Sequence, residues 1–212
     1  RQRPAVTDLY LLGDVVGLRS ESEELLARLQ RPSPELPRQH FCLGWWEEQC
    51  LALHGFRAGE PQELQEHYGS EAVSQLWAAV SGASVAWLGQ QHFGFIELDC
   101  LLIHGSSVSV REALTPETPP WLVLDRLQRV SVNTLFCGRS GLAFEYQIQQ
   151  GTLQTSLLSL ASSQAARPVT VAQKRVVGVG CVGRELGRGT YVLYDPVGDR
   201  LQFQTVTYPV SA

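Results

Sequence analysis

From Asp8 to Leu12 the chain runs through a short, mostly apolar stretch that stops at Gly13-Asp14, the pattern of a buried strand whose loop leaves at its carboxyl end. Ser20 and Glu23 have capping-box spacing. Leu25, Leu26 and Leu29 put an apolar face on the helix that follows, which Pro32, Pro34 and Pro37 bring to an end. Residues 39–43 predict a second strand. Three helices come next, at Trp45–Leu53, 61–68 and 70–80. Pro61 stands at the first helical position of the second of these and Gly69 just past its end, while Val73, Leu76, Trp77 and Val80 share one side of the third. Beyond Gly89 the period shortens. Phe93, Phe95, Ile96 and Leu98, then Cys100–Ile103, predict two antiparallel strands that turn around Asp99, the second delivering His104-Gly105. A Pro-rich loop at 115–120 leads into a helix at 121–129. From Val132 onward β-branched and aromatic residues predict short strands at Thr134–Cys137, 144–148, 153–158, 169–177, 190–194 and 201–208. Strands alternating with helices first, and strands alone later, describe an α/β layered domain whose second sheet is mainly antiparallel.

Composition narrows the class. A chain of 212 residues, 44% hydrophobic and 18% charged, is long enough for one globular domain, 1–212, that buries a core without disulfides. The formal net charge of -4 has the wrong sign for phosphate backbones or anionic lipid, so nucleic acid is disfavoured as a partner. The longest apolar runs, at 157–161 and 176–179, fall far short of the ~18 residues of a membrane helix, and no apolar signal region follows Arg1-Gln2-Arg3-Pro4. The expectation is a soluble, cytoplasmic protein with no membrane partner. Cys42, Cys50, Cys100, Cys137 and Cys181 are odd in number, widely spaced and without a C-x-x-C pair, as free thiols of a reducing compartment are. The sequence contains no methionine and opens on what looks like the tail of a helix, so an N-terminal strand and helix are expected to be missing from it.

Three polar loops follow predicted strands: Gly13-Asp14-Val15-Val16-Gly17, His104-Gly105-Ser106-Ser107 and Gly138-Arg139-Ser140-Gly141. In open α/β sheets ligands sit beyond the carboxyl ends of strands, so the three loops can converge on one crevice. The order and spacing of strand-Gly-Asp-x-Val-Gly, strand-His104-Gly105, strand-Gly138, Val176-Val-Gly-Val-Gly-Cys-Val-Gly183 and Thr190-Tyr-Val-Leu-Tyr-Asp195 resemble a calcineurin-like metallophosphoesterase over nearly the whole chain. That resemblance implies a four-layer α/β/β/α sandwich of two mixed sheets flanked by helices. It also implies two divalent metals (Mn, Fe or Zn) that activate a water and clamp a phosphoryl group. Asp14 matches the bridging aspartate and His104 the lone histidine, as metal ligands and, for His104, as a catalytic residue.

The remaining ligands depart from the family pattern. The opening Asp-x-His motif has no counterpart among the thirteen residues before Asp14. Gly44-Trp45-Trp46-Glu47 stands where Gly-Asn-His-Asp/Glu is expected, and Gly138-Arg139-Ser140-Gly141 where Gly-His-x-His is expected. One carboxylate and one imidazole fall short of even a three-ligand zinc site. Arg139 puts a fixed cation where a metal would sit and can itself bind an anion. The expected function is a phosphoesterase-family protein with a depleted metal site and weak or absent catalysis, or alternatively a phosphate- or nucleotide-binding or protein-interaction scaffold. Substrate binding falls to Arg139 and Ser106, with the backbone amides of Gly105, Ser106 and Gly138 as further donors to a phosphorylated small molecule. Each residue also has a plainer reading: Asp14 as a turn aspartate, His104 as a strand-end cap, Arg139 as a salt-bridged surface arginine.

Other signals fail on context. Gly178-Val-Gly180-Cys-Val-Gly183 matches G-x-G-x-x-G, but a strand follows where a dinucleotide site needs a helix. Gly138-Arg-Ser140-Gly-Leu142 lacks the last glycine of a nucleophile elbow. His40-Phe-Cys42 supplies too few donors for a zinc site. The five tryptophans are expected to pack in the core.

Overall fold

The structure, a computed structural model, describes residues 6–19, 21–57, 61–148, 151–153, 169–171 and 173–209. The first strand, β1 (Asp8–Leu12), is followed by α1 (Ser22–Gln30) and returns as β2 (Arg38–Cys42). The two strands pair in parallel from Asp8 opposite Arg38 to Leu12 opposite Cys42. Three helices follow: α2 (Trp45–Leu53), α3 (Gln62–Ala79) and α4 (Gly82–Leu88), of which α4 has no counterpart in the sequence-based reading. Gly69, with φ of +81°, breaks α3 into the two helices expected at 61–68 and 70–80. Such a φ is open to glycine and strained for other residues. Leu26, Phe41, Leu43, Trp45, Leu51, Leu64, Leu76, Val85 and Leu88 are buried together between this parallel pair and its helices.

The capping box expected at α1 involves Ser20, and only its Glu23 member can be followed. Ser20 lies outside the described residues, Glu21 stands at the N-cap position, and Glu23 reaches across to α4. Its carboxylate accepts from the Ser81 N–H (2.9 Å), the Ser81 hydroxyl (2.8 Å) and the Ser84 hydroxyl (2.8 Å).

The second half is built on β3 (Gly94–Glu97), β4 (Cys100–Ile103), α5 (Pro120–Gln128), β5 (Thr134–Cys137), β6 (Ala143–Ile148), β7 (Gly151–Leu153), β8 (Val169–Val171), β9 (Lys174–Val179), β10 (Arg188–Asp195) and β11 (Arg200–Thr207). Five strands form one mixed sheet in the order β3-β4-β5-β9-β6, parallel in the middle and antiparallel at both edges. On one face Val123 and Leu127 of α5 bury Leu101, Ile103, Leu135, Cys137 and Val176. On the other, Cys100, Phe136 and Val177 meet Leu12 of β1 and Val192, Tyr194 and Leu201 of the β10–β11 hairpin. Leu12 points to the mixed sheet and Leu11 to the helices, the alternation a strand imposes on neighbouring side chains.

The expected second mixed sheet is not one sheet among the described residues. It is divided into the parallel pair β1–β2 and the antiparallel hairpin β10–β11, with β7–β8 a separate pair. The strand expected at 153–158 lies outside the described residues beyond Leu153. The run at 169–177 falls into β8 and β9, and β9 runs on to Val179. Two tryptophans depart from the core reading: Trp77 and Trp121 are 52% and 69% exposed. All five cysteines are free, with only Cys181 partly exposed. Among the described residues no helix is long and apolar enough to cross a membrane.

Candidate active-site crevice

The carboxyl ends of β1, β2, β4 and β5 carry four loops that meet at one place. After β1, Gly13 and Asp14 both take positive φ, +77° and +56°, which turns the loop sharply back over Gly44. A Cβ on Gly13 would lie 2.5 Å from Gly44 Cα, so this crossing requires a glycine. Glu47, in the first turn of α2, fixes the crossing from below. Its Oε2 accepts the Asp14 N–H and the Gly44 N–H, both at 2.8 Å, and its Oε1 accepts the N–H groups of Val15 and Val16, both at 2.8 Å. Glu47 is wholly buried. Burial, and then the charge of Asp14, push its pKa above the ordinary glutamate value, against the backbone donors that favour the carboxylate.

With its backbone held, the Asp14 side chain faces the crevice. Oδ1 accepts the Trp46 N–H at 3.0 Å, and Oδ2 lies 3.3 Å from His104 Nε2 and 3.8 Å from the Arg139 guanidinium. His104, at the end of β4, is buried, and its Nδ1 sits 2.6 Å from the Leu12 carbonyl oxygen. That acceptor requires the proton on Nδ1 and turns Nε2 toward Asp14. The Nε2–Oδ2 approach is an ionic contact rather than an aligned hydrogen bond, because Nε2 has no hydrogen-bond partner among the described residues. Burial alone would raise the Asp14 pKa and lower that of His104. The pair's mutual attraction outweighs it in both, helped for Asp14 by the Trp46 N–H and Arg139, so Asp14 is held below the ordinary aspartate range and His104 above the ordinary histidine value.

Arg139 follows β5. Its N–H donates to the His104 carbonyl at 2.7 Å, and its guanidinium lies over the Trp45 ring with Cζ 5.3 Å from the centroid, a cation–π arrangement. Its side chain keeps 30% exposure, so donors remain open to a ligand.

The structure thus brings Asp14, His104 and Arg139 together as the sequence motifs predict, and leaves Ser106 out. Ser106 is fully buried, and its hydroxyl accepts the Val108 N–H within its own loop (3.3 Å). Its N–H is taken by the Ser109 carbonyl at 3.0 Å, and that of Gly138 by His104 at 2.8 Å. Two of the three backbone donors expected for an anion are therefore spent inside the protein, because tight loops satisfy their own amides first. Sequence reasoning also passed over Glu47 as an anchor and the partners of Trp45: its indole N–H donates to Glu63 (3.0 Å), which pairs with Arg111 (2.6 Å). A carboxylate three residues after the strand-ending Gly44 was the available signal for Glu47.

A binuclear metal centre does not fit these residues. Among the described residues no group of three or more His, Cys, Asp and Glu side chains could hold a metal ion. Asp14 and His104 already face each other, with a guanidinium beside them.

No family model and no curated protein sequence matches this chain. Solved structures do. A metallophosphoesterase from Sphaerobacter thermophilus superposes with a TM-score of 0.63 at 16% identity, over 97% of this chain and 80% of that one. A hypothetical protein from Pyrococcus horikoshii superposes with a TM-score of 0.68 at 15% identity, over 97% and 77%. The chain has the α/β fold of a metallophosphoesterase, as the motif order implies.

Proposed function

We propose that this protein keeps the phosphoesterase scaffold but not its metal-dependent hydrolysis, and that the crevice binds a phosphorylated small molecule through Arg139. The observation that carries this reading is the guanidinium 3.8 Å from Asp14, a permanent cation at the centre of the loop cluster. A second divalent cation there would be repelled by it, whereas a phosphate gains charge-assisted hydrogen bonds from its outward donors. With two backbone amides already taken, one arginine contact offset by desolvation and ordering suggests affinity between roughly millimolar and tens of micromolar. Four buried free cysteines suit a reducing cytoplasm, where we place the protein.

Calorimetric titration with inorganic phosphate should show binding to the wild type and at least a tenfold loss in Arg139→Ala, whose thermal midpoint stays within a few degrees. Equal binding by both proteins, or by neither, removes Arg139 from the site. Metal analysis after dialysis against manganese, iron and zinc separately should find well under two equivalents. Two tightly held equivalents, or metal-dependent turnover of an aryl phosphate, would restore a hydrolase.

A further inference from the structure

Beside Arg139 the crevice wall is aromatic. Trp45 and Trp46 pack edge to face with centroids 4.8 Å apart, and the Tyr68 ring leans on both, 5.9 Å from Trp45 and 5.0 Å from Trp46. Arg139 covers the Trp45 ring of this same cluster. Packing accounts for Trp45, which is buried, but not for Tyr68, which is 52% exposed with Trp46 half-buried beneath it. Tyr68 is also fixed in place by its position in the chain. It closes the first segment of α3 immediately before the Gly69 break, and Trp45 below it is fixed by Glu63, itself paired to Arg111 from the loop after His104. A partly exposed set of packed rings next to a guanidinium offers a flat face and a cation at adjoining positions, the pairing that stacks a base while holding its phosphate.

We infer that the crevice takes a phosphate monoester that carries a flat aromatic ring, a nucleoside monophosphate being the representative, with the ring on Trp46 and Tyr68 and the phosphate at Arg139. This rests on the reading of Arg139 as an anion site and adds the part of the ligand beyond the phosphate. Three probes separate the two claims: inorganic phosphate, ribose 5-phosphate and adenosine 5′-monophosphate, each titrated by calorimetry and by quenching of tryptophan fluorescence. Base stacking on an aromatic side chain should make adenosine monophosphate about tenfold tighter than ribose 5-phosphate, with quenching only by the former. Tyr68→Ala, a change at an exposed position, should erase most of that gap and leave phosphate binding intact, while Tyr68→Phe preserves it.

If adenosine monophosphate and ribose 5-phosphate bind alike, both dependent on Arg139, the aromatic subsite is overturned and the anion site stands. The subsite is equally overturned if Tyr68→Ala keeps the full adenosine advantage. Binding of none of the three probes overturns the subsite and the anion reading together.

Discussion

Glu47→Ala should be the most damaging single substitution in the molecule, lowering stability by about 3–5 kcal/mol. Its two oxygens satisfy four backbone N–H groups from two loops, at Asp14, Val15, Val16 and Gly44. Alanine strands those donors in a place water does not reach, and each unsatisfied buried donor costs about 1–3 kcal/mol before relaxation. In a domain of this size the loss corresponds to a fall of roughly 6–20 °C in thermal midpoint. Glu47→Gln should fall between, since one carboxamide oxygen still accepts while the amide group opposes donors with donors. Paired thermal and urea melts decide the matter, and a midpoint within 2 °C of wild type for the alanine variant would show that the loops hold themselves.

The second large effect is a dependence on pH centred on His104. Its imidazolium faces Asp14, with Arg139 behind that carboxylate, Glu47 below and the Leu12 carbonyl on its other nitrogen. A pKa raised in the folded state gives stability that is complete below the ordinary value of 6.5 and lost as pH climbs through the folded value. Asp14, held lower, contributes above its ordinary 3.8 and loses that contribution only as pH falls through its still lower folded value. The pair is therefore most stabilising between about pH 4 and 6.5. His54 runs the other way, because burial lowers its pKa and its contribution is lost on acidification. Comparing the wild type with Asp14→Asn isolates the pair: asparagine tolerates the positive φ and keeps an oxygen for the Trp46 N–H. In metal-free buffer the wild type should lose more stability than the variant between pH 6 and 9. Parallel curves would mean that His104 is neutral throughout.

Much of this molecule could be read from local pattern. Strands such as Asp8–Leu12 and Thr134–Cys137, and the helix Trp45–Leu53, have the bounds their apolar runs and Gly-Asp or Gly-Arg terminators predict. The Gly69 break was visible as a glycine between two helical periods. What escaped depends on distant partners. Glu23 has capping-box spacing but serves a helix 58 residues away, and Glu47 looks like a surface carboxylate until β1 is laid over it. Division of the second sheet is equally invisible in alternation alone, which marks strands without saying which of them pair. The strand-end motifs do meet in space, with Asp14 beside both His104 and Arg139. The spacing could not show that Ser106 turns inward, since a loop that consumes its own donors and one that presents them share the same composition.

If Arg139 is the anion site proposed above, its 3.8 Å contact with Asp14 also sets a charge threshold on the ligand. Any anion reaching the guanidinium competes with a carboxylate already in place, so a singly charged ester exchanges one monovalent neighbour for another and gains little. A doubly ionised phosphate brings an excess of charge that a carboxylate cannot match. Phosphate monoesters lose their second proton near pH 6, whereas diesters and sulfate esters have none to lose. On the proposed anion reading, the internal ion pair would act as a valence filter, favouring terminal phosphates over bridging ones without a contact to the ester group.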